Sequence, residues 1–162
     1  MDTASFGVKL RQAILRLNVF RSTYPEAFLG CSAEEIENVM HEQGVKFLPK
    51  IYRDFMMEMG KRAGGWLFYD AVYFCPHVGK NKIDAAEILE RHNKQLVLPP
   101  DAFVFAIHPN DAFHYFLTAE QSEDPPVYYF HYALNDFYKM SNHLSTFFYS
   151  MVEQLAAQLG KN

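Results

Sequence analysis

The chain has 162 residues, 49% of them apolar and 16% aromatic, with a formal net charge of −4 and an isoelectric point near 5.9. That length suits one domain that buries roughly 70% of its unfolded surface, so neither a disulfide nor a metal is needed to hold a core. The acidic balance speaks against nucleic-acid and anionic-membrane surfaces, which need concentrated Lys and Arg, and favours a basic protein partner.

Cys31 and Cys75 lie far apart and outside any C-x-x-C spacing, so no disulfide framework is expected and a reducing compartment fits. Residues 1–20 place Lys9, Arg11 and Arg16 among apolar positions, without the apolar core and cleavage site of a secretory leader. No run approaches the roughly 18–20 apolar residues of a membrane helix. The expected location is the cytoplasm, and no cofactor is indicated.

Leu10, Ala13, Ile14 and Leu17 predict a helix within about residues 5–21, ended before Pro25, with an apolar face broad enough to pack on the domain. Ser32 and Glu35 have the spacing of a capping box; Ile36, Val39 and Met40 follow on one face, and Gly44 ends the helix. Pro49 suits the first turn of a second helix, whose stripe is Tyr52, Phe55, Met56 and Met59 and whose stop is Gly60. After a loop over 61–65, Trp66 to Phe74 reads as a strand closed by Pro76. Gly79-Lys80 is not a phosphate loop, because the upstream glycine and the following Ser or Thr are missing. Asp84 and Glu87 repeat the capping-box spacing, with Ile83 and Ile88 as a hydrophobic staple, and predict a short helix over 85–93.

Three strand-like runs follow Leu98-Pro99-Pro100-Asp101: Ala102–Ile107, Phe113–Thr118 and Val127–Tyr132. Their short connections, one with a Pro-Asn-Asp core and one ending in Asp124-Pro125-Pro126, require antiparallel pairing. Leu144, Phe147, Phe148, Met151, Val152 and Leu155 predict a last helix, with Ser141 and Asn142 as cap candidates and Gly160 as its stop. The fold expected is α+β, a mainly antiparallel sheet of four to six strands with packed helices, as one domain over residues 1–162.

The series Ile36, Val39, Gly44, Phe47-Leu48-Pro49, Tyr52, Phe55 and Gly60 resembles the opening signature of the SUKH superfamily, which includes fungal cell-wall-synthesis regulators and many bacterial immunity proteins. The run from Phe103 to Val152 is similar to its second half, through the aromatic strands, the Asp124-Pro125 step and the Leu144, Phe147-Phe148, Val152 helix. The resemblance spans about residues 32–152 and leaves residues 1–30 as a helical extension. Met40 and Met59 stand where the superfamily usually places an acidic and a polar residue. The resemblance implies protein binding without catalytic residues: an immunity protein that neutralises a toxin, for example a nuclease, or a regulatory scaffold.

Other chemistry is weaker. His108, Asp111 and His114 could serve a small metal-dependent hydrolase, but they straddle a predicted hairpin and lack a third firm ligand. Cys75-Pro76-His77 is a poor chelate, and Cys31, next to a helix start that could lower its pKa, reads better as a small residue before a cap. Tyr128, Tyr129, Phe130 and Tyr132 place large rings on both faces of one strand, and nearby loops supply Asp111, Glu120, Glu123 and Asp124. If helices cover one face only, aromatic anchors remain with an acidic rim, which suits a basic protein. If helices cover both faces, the rings are core. The binding residues expected are Asp111, Glu120, Glu123, Asp124, Tyr128 and Tyr132, with no metal and with the oligomeric state open.

Overall fold

Apolar stripes on helices need a wall, and here the wall is a sheet with helices on both sides. The computed structural model describes residues 3–17, 27–64 and 73–160. Helices α1 (Phe6–Arg16), α2 (Ala33–Glu42), α3 (Lys50–Met59), α4 (Asn81–His92) and α5 (Leu144–Leu159) are joined by a short ladder of β1 (Phe28–Leu29) with β2 (Arg62–Ala63) and by a larger sheet. That sheet is an antiparallel meander, β3 (Ala102–His108), β4 (Ala112–Leu117), β5 (Val127–His131) and β6 (Phe137–Ser141), in the order β3-β4-β5-β6. The α+β architecture expected from the sequence is the one observed.

Side chains of a strand alternate between faces, so each face has its own core. On the first face Phe103, Phe105, Phe116 and Val127 pack against α3 and α5, with Phe6, Leu10 and Ile14 of α1 closing the same cluster. Tyr52 of α3 sits among the rings, with centroids 5.1 Å from Phe103 and 5.4 Å from Phe116, while Phe55 stacks on Phe148 of α5 at 4.8 Å. On the second face Val104, Phe113, Tyr115 and Phe130 pack with Ala85, Ile88 and Leu89 of α4. The register passes from Val104↔Tyr115 to Ala106↔His114, so Phe105 is a bulge residue, and Phe105 and Ala106 both join the α3/α5 side.

Local signals read from the sequence fare unequally. The capping box of α2 is complete: Ser32 N–H donates to Glu35 Oε2 at 2.8 Å and Glu35 N–H to Ser32 Oγ at 3.2 Å. Gly44 has φ +67°, a backbone state that suits glycine just past a helix end. Pro49 is the cap residue before α3 and stands one position short of its first turn. The predicted box at Asp84 and Glu87 does not form, because a 3₁₀ turn over His77–Lys80 runs straight into α4 and starts it at Asn81. Ile83 is 59% exposed and so staples nothing. Most of the strand predicted over 66–74 lies outside the described residues, as does the predicted helix beyond residue 17; Tyr73 and Phe74 are not in a strand, and the Cys75–Pro76 bond is cis. Strand β6 was not anticipated. Its residues are mostly exposed, and pairing with β5 defines it better than any apolar alternation does.

The edge strand β3 is closed by a side chain. Gln43, buried at the end of α2, accepts the Val104 N–H through Oε1 at 2.8 Å and donates from Nε2 to the Val104 carbonyl at 2.8 Å and the Val78 carbonyl at 2.7 Å. Its amide thus occupies the place of a neighbouring strand. Lys82 Nζ donates to the Gln43 carbonyl at 3.0 Å and to that of Pro100 at 2.6 Å, tying α4 to the same point. Each buried polar group left without a partner costs about 1–3 kcal/mol. Gln43→Ala is therefore expected to lower the unfolding free energy by roughly 3–5 kcal/mol with an unchanged m-value; a loss under about 1 kcal/mol in a urea titration would show that water replaces the amide.

Candidate protein-binding surface

The turn between β3 and β4 and the connection between β5 and β6 lie at one end of the sheet, where Asn110 Nδ2 is 3.2 Å from His131 Nε2. Asp111, with φ +52°, closes the first turn. Its carboxylate meets His92 Nε2 at 2.6 Å and Arg91 at 2.9 Å, and these neighbours, His92 foremost, hold it below the usual aspartate range. Tyr132 opens the second connection. Its ring is 48% exposed, stacks on His131 at 4.7 Å and lies 5.2 Å from the ring of His92. Asp111 and Tyr132 therefore meet across His92.

The other expected residues do not join them. Glu120, Glu123 and Asp124 belong to the connection between β4 and β5, at the opposite end of the strands. The Glu123 carboxylate accepts the Lys50 N–H at the start of α3, and the Glu123 carbonyl accepts from Ile51 N–H at 3.2 Å. Asp124 accepts from Ser145 N–H at 2.8 Å and from the Ser145 hydroxyl, capping α5. The position before α5 is His143, which makes no side-chain cap, so neither Ser141 nor Asn142 fills that role. Glu120 is exposed at a turn. Tyr128, half-buried on the α4 side, stacks on Tyr115 at 5.3 Å and is largely a packing residue.

Two features at the Tyr132 end were not anticipated from the sequence. A groove of about 290 Å³ between α4 and the β3–β4 turn is lined by Asp84, Glu87, Arg91 and Asp111, with Ile88 and Ile107 among its apolar residues. Arg91 is committed to Asp111, whereas Asp84 and Glu87 carry no ion pair among the described residues. A spacing of three marks a capping box and equally one face of a helix, and here the second meaning holds. The second feature is β6, which among the described residues pairs with β5 alone. Tyr132, Leu134, Tyr138 and Met140, all exposed, fall within this single hairpin, and the register shift between Val127 and Tyr128 leaves Met140 as an unopposed bulge.

Residues 33–148 match the SUKH_6 family, described as SMI1-KNR4 cell-wall. The chain belongs to the SUKH superfamily. No curated protein matches it. SUKH domains are generally protein-binding modules, which fits a site made of exposed rings and carboxylates. Met40 and Met59 are both buried and belong to the core on the α3 side of the sheet. No helix among the described residues is long and apolar enough to cross a membrane.

The histidines tell a different story from the one their spacing allowed. His108 Nε2 and His114 Nδ1 are 3.0 Å apart, but Asp111 is engaged by α4, away from His114. Among the described residues no group of three or more His, Cys, Asp or Glu is placed to hold a metal. Cys31 is not activated by its helix start, since burial pushes its thiol up. His114 is buried between Phe105, Tyr129 and Phe147, and burial, aided by His108, pushes its pKa down to about 3.

Unfolded, His114 takes up a proton near pH 6.5, while the folded chain resists until about pH 3. Between these values the unfolded state binds the extra proton, so stability falls as pH falls. The expected loss from this residue is roughly 2 kcal/mol between pH 6.5 and 5, and His114→Phe should flatten that slope in urea titrations; an unchanged slope would assign it elsewhere. Asp124→Ala, which removes the cap of α5, should cost about 1–2 kcal/mol in the same assay at neutral pH, where an effect below about 0.3 kcal/mol would deny it a capping role.

Proposed function

We propose that the chain is an immunity protein that neutralises a basic toxin domain, such as a nuclease, by binding it at the end of the sheet that carries Tyr132. The observation that carries this reading is the juxtaposition of an exposed aromatic hairpin with the carboxylate-lined groove of α4. Rings supply contact area at small entropic cost, and carboxylates steer a cationic partner and reject an anionic one. Asp84 and Glu87, without an ion pair among the described residues, can receive a lysine or arginine, while Asp111 is held in place by Arg91 and His92. Of the residues singled out in the sequence, Asp111 and Tyr132 belong to this surface, while Tyr128, near the start of β5, packs on Tyr115. Glu120, Glu123 and Asp124 face the other end, where a second contact would have to wrap around the sheet. A regulatory scaffold acting on a host pathway would use the same surface for a different partner.

The test has two stages. Affinity capture from the native cell should retain a basic protein with wild-type bait and lose it with Tyr132→Ala and with Asp84→Lys/Glu87→Lys, each weakening binding at least tenfold, roughly 1.4 kcal/mol or more. The captured protein should arrest growth when produced alone, and co-production of the chain, but not of Tyr132→Ala, should restore growth. A partner that is harmless by itself would favour the scaffold reading. Binding that survives both variants would place the interface elsewhere on the domain.

A further inference from the structure

Cys31 and Cys75 are distant in sequence, yet the fold sets both against the C-terminal end of α3. The Cys31 N–H donates to the Met56 carbonyl at 2.8 Å, and the Cys75 N–H donates to the Gly60 carbonyl at 2.9 Å. Gly60 itself lies against Cys31, since a Cβ added there would come within 2.6 Å of Cys31 Sγ. The two thiol side chains lie close enough to influence each other's titration and belong to the same buried cluster, each residue 7% exposed. Beside them stands an ion pair, Lys61 Nζ to Glu35 Oε1 at 2.6 Å, whose two charges act on the thiols in opposite directions.

We propose that Cys31 and Cys75 form a dithiol that closes to an intramolecular disulfide when a peroxide reaches it. The first thiol attacks the peroxide O–O bond to give a sulfenic acid and one water; the second thiol then displaces the sulfenic oxygen as a second water, forming the S–S bond. Two thiols lose two electrons, and the peroxide gains them. Both cysteines are held through their backbone N–H groups at one helix end, so closure asks for side-chain rotation and little main-chain movement. Burial raises both thiols, so few thiolates are present at neutral pH and closure is slow compared with an exposed redox sensor. The bond would link the residue before the cap of α2 to the entrance of the 3₁₀ turn, enclosing α2 and α3 in one covalent loop. Such a loop is long, and a cross-link of this length restricts the unfolded chain strongly.

The experiment treats the whole folded chain with dilute hydrogen peroxide, quenches it, and alkylates remaining thiols in denaturant. Both thiols should disappear together, and mass spectrometry should find the Cys31 peptide joined to the Cys75 peptide in a monomer that dithiothreitol restores. The oxidised form should melt roughly 5–10 °C higher than the reduced one. In Cys75→Ser, Cys31 should stop at a sulfenic acid that dimedone traps; if that variant does not fold, the wild-type peptide map alone decides. Loss of a single thiol, a disulfide between two copies, or survival of both thiols while free cysteine in the same tube is consumed would each overturn the proposal.

Discussion

The buried amide of Gln43 is the constraint on which the rest of the arrangement depends. A sheet of four strands has two edges, and an edge inside a core must have its backbone groups paired. Among the described residues no second strand pairs with β3, whose outer edge faces the end of α2. One side chain resolves this by presenting an N–H and a C=O in the spacing of a strand, and by holding the Val78 carbonyl of that turn with its remaining hydrogen. Because Gln43 ends α2, the position of that helix and the edge of the sheet are fixed together. Lys82 adds α4 to the same junction through the Gln43 main chain.

A second junction does the same work on the far side. The connection between β4 and β5 caps α3 with Glu123 and α5 with Asp124, so the two helices on one face of the sheet are located by consecutive residues of one loop. Carboxylates at helix starts are favoured by unpaired N–H groups and by the helix dipole. These acids therefore serve the fold first. At the opposite end of the sheet Asp111 alone of the expected acids ties down a helix, and exposed rings and the groove carboxylates Asp84 and Glu87 accumulate around it.

The helices were legible where the signal was local. Ser32 and Glu35, the stripe from Tyr52 to Met59 and the spacing from Leu144 to Val152 each describe a structure that a short segment makes by itself. The meander was legible because its connections are too short for any other pairing. What stayed hidden depends on residues distant in sequence: the cap that Asp124 gives α5, the pairing of β6 with β5, and the amide of Gln43 at β3. Asp84 and Glu87 misled because the same spacing describes a helix start and a helix face, and only the preceding 3₁₀ turn distinguishes them. The candidate site was half legible for a related reason. Asp111 and Tyr132 looked remote along the chain and meet through His92, whereas Glu123 and Asp124 stand at the end of β5 away from Tyr132 and cap helices there.

The bulge at Phe105 has a chemical consequence at the end of β3. Regular alternation from Val104 onward would send Ile107 toward α5 and His108 toward α4, into the company of Asp111 and His92. The extra residue reverses both, lining the groove of α4 with Ile107 and turning His108 onto His114. One inserted residue thus gives the groove an apolar wall at Ile107 and pairs the His108 ring with His114, while His108 still borders the groove. The chemistry of this corner of the fold is set by a single step of strand register.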